Sequence, residues 1–153
     1  MTKQNIAVQD FLSWREEWRV GIPMVDRQHR VLADCLNRLV KHYSLEASAD
    51  QESGSDGRRQ LGQLLDELYA TAREHFRREE ALMLGLSYPG YGSHLREHAM
   101  LLAELKSTFL NRFTQSWRDV DAALLSALRS WFISHVLRSD REFADYLLVR
   151  TRR

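Results

Sequence analysis

The stretch DRQHRVLADCLNRLVKHY, residues 26–43, sets the period on which the whole chain is built. Val31, Leu32, Cys35, Leu36, Leu39 and Val40 recur three and four positions apart, which places them on one face of an α-helix. Upstream, Gly21 and Pro23 close an N-terminal arm, residues 1–22, in which Phe11, Trp14 and Trp18 keep helical spacing and are expected to pack on the body of the protein. An aromatic partner-binding patch is the rival reading of the same residues. Downstream, residues 46–57 carry Ser, Ala, Asp, Gln and Gly without periodicity and read as an exposed loop.

The pattern then repeats. A second helix is expected from Arg58 to Leu84 through Leu61, Leu64, Leu65, Leu68, Tyr69, Ala72, Phe76 and Met83, with Gly62 inside it. Gly85, Pro89, Gly90 and Gly92 form a second loop, and Ser93 is the expected N-cap of a third helix running through Leu101, Leu102, Leu105, Phe109 and Phe113. A fourth starts near Asp119 and carries Leu124, Leu125, Leu128, Trp131, Phe132 and Val136; Ser139 to Val149 either extends it or forms a short terminal helix. No stretch alternates with a β period. The expectation is all-α: an up-down-up-down antiparallel four-helix bundle with an N-terminal arm and a short C-terminal helical extension, a single domain over residues 1–153.

Composition narrows the function classes. The chain has 153 residues, enough for one well-filled core, and a net charge of +1 from 22 basic and 21 acidic side chains. That balance offers no electrostatic footprint for nucleic acid or an anionic membrane. A single cysteine, Cys35, excludes an internal disulfide, and no apolar run reaches the ~20 residues of a membrane span. The expected setting is the cytoplasm.

Six histidines carry the chemistry: His29, His42, His75, His94, His98 and His135. His75 and Glu79 are four apart, as are His94 and His98, so each pair projects from one helical face one turn apart. His135 and Asp140 are five apart, which an ideal helix turns away from each other by about 140°. Both reach one site only if the helix ends, tightens or widens there, and a π-type turn is one such solution. His29 lies early in the first helix, His75 and Glu79 late in the second, His94 and His98 early in the third, His135 and Asp140 late in the fourth. An antiparallel bundle brings all seven to a similar level. Imidazoles mixed with carboxylates suit iron among the first-row metals. The Glu-x-x-His motif of ferritin-like di-iron enzymes is absent. His42 stands apart from this set.

These residues, with Trp18-Arg-Val-Gly-Ile-Pro-Met-Val-Asp-Arg-Gln-His29, the Tyr88 to His98 segment and Trp131 through Asp140, resemble the hemerythrin family, and within it the bacterial single-domain bacteriohemerythrins. The resemblance spans nearly the whole chain and substitutes none of the ligand positions. It implies a centre of two non-haem irons: His94, His98 and His135 on one, His29 and His75 on the other, Glu79 and Asp140 bridging with an oxo or hydroxo group. It implies reversible dioxygen binding at the iron with fewer histidines, for storage, delivery or sensing, and no enzymatic activity. Trp131 and Phe132 correspond to the family's pocket-lining pair, whose second position is often leucine. A di-iron enzyme reducing peroxide or nitric oxide, or a sensory module acting through a separate partner, are the alternatives.

Overall fold

The computed structural model describes residues 11–47, 55–111 and 122–151, and the described residues contain helix and no strand. Within these, the side chains at 45–47, 55–58, 109–110, 135–136 and 151 are not described. Helix α1 runs Pro23–Ala47 and α2 Ser55–Gly85. Helix α3, Tyr91–Glu104, continues without a break into a π-helix, Leu105–Leu110. The last rod is α4, Ala122–Ser130, a second π-helix, Trp131–Leu137, and α5, Arg138–Thr151, joined end to end. Ser139 to Val149 therefore extends the fourth helix. The four rods form an up-down-up-down antiparallel bundle. Phe113 and Asp119 lie outside the described residues, as do 48–54 and the first ten residues of the arm.

The entry into α1 is fixed by one carboxylate. Asp26 accepts the backbone N–H groups of Val20, at 2.7 Å, and Gly21, at 3.2 Å, and is itself buried. Pro23 takes the first helical position, where its missing N–H costs nothing. Gly21 sits at a φ of 97°, and a Cβ there would come within 3.1 Å of Leu148. Only glycine meets both conditions easily. The preceding segment contains a 3-10 turn, Glu16–Trp18, and Leu12 is pinned to α1 by two hydrogen bonds with the Asn37 amide, at 2.6 and 2.9 Å. Trp14 and Trp18 meet edge to face at 5.5 Å, and Trp18 reaches Phe132 at 6.0 Å.

Helix α2 ends on a residue the sequence does not advertise. Ser87, not Gly85, is in the left-handed region, at φ 53°. Its N–H donates to Leu84 O, and the N–H of Tyr88 donates to Met83 O. This is a Schellman arrangement, closed by apolar packing of Met83 and Tyr88 in one cluster. Gly90 then caps α3 in place of the expected Ser93: its carbonyl accepts the N–H of His94, and no side chain caps the helix. The Tyr88 ring lies where a Gly90 Cβ would be, at 2.7 Å. Closing the turn on glycine starts the helix two residues before Ser93.

Two apolar clusters fill the bundle. The larger includes Leu32, Leu36, Phe76, Leu101, Leu128, Trp131 and Leu137; the smaller joins Val20, Ile22, Val25, Met83, Phe143 and Ala144. On α1, α2 and the last rod, the buried polar residues His29, Glu79 and Asp140 fall between the two clusters in sequence. Polar chemistry is thus sealed between two apolar plugs.

Candidate metal centre

Burying a histidine or a carboxylate is expensive unless each polar atom finds a partner. Here His29, His75, Glu79, His94, His98 and Asp140 are all buried, and they find each other. His29 Nε2 lies 2.5 Å from Asp140 Oδ2, and His75 Nε2 lies 3.0 Å from the same oxygen. His94 Nε2 is 2.7 Å from Glu79 Oε1 and 3.2 Å from Asp140 Oδ1. His98 Nε2 is 3.1 Å from Glu79 Oε1. Four imidazoles thus aim the same ring nitrogen at two carboxylates.

The outer nitrogens show how two of these rings are held. His75 Nδ1 donates to Gln28 Oε1 at 2.6 Å, and His98 Nδ1 donates to Glu80 Oε2 at 2.6 Å. Each bond leaves the Nε2 lone pair facing inward, the arrangement that outer partners impose on metal-binding histidines. Phe76 stacks on the His98 ring at 4.1 Å, with 14° between the planes. From the sequence, Phe76 is expected only as part of the apolar face of α2, and Gln28 and Glu80 carry no expected role beside the donors. Adjacency of Gln28 to His29 and of Glu80 to Glu79 was the one signal present.

Electrostatics select a cation. Burial, followed by the neighbouring His29 and His94 imidazoles, pushes His75 down despite the pull of Asp140. Burial, then His94, pushes His98 down to about 3. Both rings are neutral near pH 7, the form that offers a lone pair to a metal. Burial and the Asp140 charge push Glu79 well above the usual carboxylate range. Burial also pushes Asp140 up, but hydrogen bonds from Glu79, His29, His75 and His94 outweigh it and hold Asp140 well below that range. Two buried carboxylates so close share one proton rather than both ionise. A metal cation replacing that proton restores both charges. Within the site, two buried atoms lack a hydrogen-bond partner among the described residues, Glu79 Oε2 and His29 Nδ1. Glu79 Oε2 is free to meet a cation.

The donor atoms fall into two groups, each within 4.8 Å: His29, His75, Glu79 and Asp140, and Glu79, His94, His98 and Asp140. Both groups contain Glu79 and Asp140. The set fits metal binding by its chemistry, nitrogen and oxygen donors with the two carboxylates common to both groups. The His135 backbone lies inside the π-helix Trp131–Leu137, a widened turn, which is one of the solutions the five-residue offset to Asp140 leaves open. Its side chain lies outside the described residues. Trp131 and Phe132 are buried on the same turn; the Trp131 indole N–H donates to Leu101 O at 3.1 Å, and the Phe132 ring meets the His29 ring edge to face at 6.4 Å. His42 is half-buried, far along α1 from His29.

Several known proteins are similar to this chain over most of its length. The profile of the Hemerythrin HHE cation binding domain matches residues 20–147. A bacteriohemerythrin of Stenotrophomonas maltophilia is 30% identical over 135 residues, 88% of this chain and 80% of that protein. One from Clostridium acetobutylicum is 26% identical over 132 residues, 86% and 98% of the two chains. A hemerythrin from Sipunculus nudus is 24% identical over 140 residues, 92% and 97%. A crystal structure of a hemerythrin point mutant superposes with a TM-score of 0.70 at 21% identity, covering 90% of this chain and 97% of that one, a likeness of fold. By the profile match and by its relatives, this chain belongs to the hemerythrin family.

Proposed function

We propose that this chain binds dioxygen reversibly at a non-haem di-iron centre held by His29, His75, Glu79, His94, His98, His135 and Asp140. The observation that carries the reading is the overlap of two buried donor groups on the same pair of carboxylates. His94, His98 and His135 would hold one ion and His29 with His75 the other, with Glu79 and Asp140 available to both. When bound, the two irons supply the electrons that dioxygen takes up on binding and returns on leaving. The protein's own contribution is to orient the rings, keep them neutral and exclude water. Phe132 does the last beside His29, together with the buried Trp131.

The histidine-rich shell favours a carrier over an enzyme, because oxidation catalysts rely on more anionic oxygen donors to stabilise high-valent iron. The whole of residues 1–153 acts as one such domain, in the cytoplasm, in storage, delivery or sensing of dioxygen. Among the described residues no helix is long and apolar enough to cross a membrane. The test is to cycle anaerobically reduced, iron-loaded protein between air and vacuum under a spectrophotometer. A visible charge-transfer band that rises with dioxygen and falls on evacuation over repeated cycles supports the reading. A band that forms once and never reverses, or sustained turnover of peroxide or nitric oxide, counts against it.

A further inference from the structure

The two halves of the site are backed differently. His98 is braced from outside by a carboxylate, Glu80 at 2.6 Å, whereas His75 is braced by the neutral amide of Gln28, also at 2.6 Å. His29, the other imidazole of the His75 half, has an Nδ1 without a hydrogen-bond partner among the described residues. Gln28 and His75 also line a surface groove of about 320 Å³ between α1 and α2, with Thr71, Glu74 and Arg78. Both Gln28 and Glu80 are half-buried.

These brackets have unequal chemical effects. A carboxylate accepting the outer N–H draws the proton toward itself and makes the inward nitrogen a stronger donor; it also places a compensating negative charge behind a cation site. An amide oxygen orients the ring but adds no charge. The Gln28 bond also borders this open groove.

Resting on the di-iron reading above, the geometry points to Glu80 and Gln28 as positioning residues that widen the inequality set by three histidines against two: the Glu80-backed half, with His94, His98 and His135, holds its ion tightly, and the Gln28-backed half, with His29 and His75, is the labile one. Nothing in this requires either residue to touch a metal.

The experiment follows ferrous ion release from the full-length, iron-loaded protein into an excess of a chromogenic chelator, without oxygen. The wild-type protein releases its iron in two phases of equal amplitude, one ion each. Glu80→Gln accelerates the slow phase roughly 10–100-fold and leaves the fast phase in place. Gln28→Glu, which sets a carboxylate behind His75, slows the fast phase by a similar factor. A gain in retention cannot come from a damaged fold, so the second variant separates bracing from general loosening. Equal acceleration of both phases by Glu80→Gln, a fast phase unmoved by Gln28→Glu, or single-phase release of two ions from the wild type overturns the inference. The iron content at the start reads the underlying proposal separately: fewer than two ions per chain refutes the di-iron centre itself, whereas two ions with the wrong phases refute only the inequality.

Discussion

Asp140 Oδ2 lies 2.5 Å from Nε2 of His29, a contact that closes 111 residues of chain and joins the first helix to the last. It forms because an antiparallel bundle sets an early position on α1 level with a late position on the fourth rod. The same oxygen serves His75, and the other oxygen serves His94. Asp140 is therefore the atom-level hub of both donor groups.

Asp140→Asn keeps the shape and removes the charge. The expected result is a helical protein, by circular dichroism, whose iron content falls from two per chain to one or fewer. Full retention of two ions would show that Asp140 does not serve both.

Phe132→Ala opens space beside His29 in a fully buried position. Truncating a buried phenylalanine costs about 3–5 kcal/mol, visible in urea unfolding. Water then reaches the His29 side, and the oxygenated protein autoxidises faster than the wild type, with Phe132→Leu in between. An autoxidation rate unchanged in the alanine variant removes Phe132 from the pocket.

Acid should unfold the chelator-stripped protein through its histidines. His75 and His98 are pushed below their ordinary value in the folded chain, His98 to about 3, while unfolded imidazoles titrate near ~6.5. Between those values the unfolded chain binds more protons at these two imidazoles, while Glu79, pushed up in the folded chain, offsets at most one of them. Stability therefore falls as pH is lowered below about 6.5, by about 1.4 kcal/mol per pH unit for each net proton taken up. Urea midpoints measured from pH 7 to 4 check the slope. A flat profile contradicts the burial of neutral imidazoles.

Ser87 occupies the left-handed position that ends α2, a conformation costing a non-glycine residue about 1–2 kcal/mol. Ser87→Gly is therefore expected to raise stability by about 1 kcal/mol without changing iron content, as a shift in thermal midpoint records. Destabilisation would show that the serine side chain matters more than its backbone.

Much of this was legible because a helix has one period. The apolar spacing of Val31 to Val40 identified α1, and the four-residue intervals His75–Glu79 and His94–His98 put their donors on shared faces before any coordinates. The offset of His135 from Asp140 called for the helix to end, tighten or widen if both are to reach one site, and the π-helix Trp131–Leu137 is a widening. Two things stayed hidden. Turn chemistry at Ser87 and Gly90 depends on how the Tyr88 ring packs, which composition does not encode. The braces Gln28 and Glu80 depend on side-chain rotamers and on how far each helix is rotated about its axis, and no periodicity reports either. The other π-helix, Leu105–Leu110, has no signature in its residues.

Whether two irons share Glu79 and Asp140 is tested most directly by iron K-edge X-ray absorption of the purified, iron-loaded protein. The expected spectrum has a nitrogen- and oxygen-only coordination shell with imidazole outer-shell scattering and a second iron as a near neighbour. Iron centres with no iron neighbour would contradict that sharing.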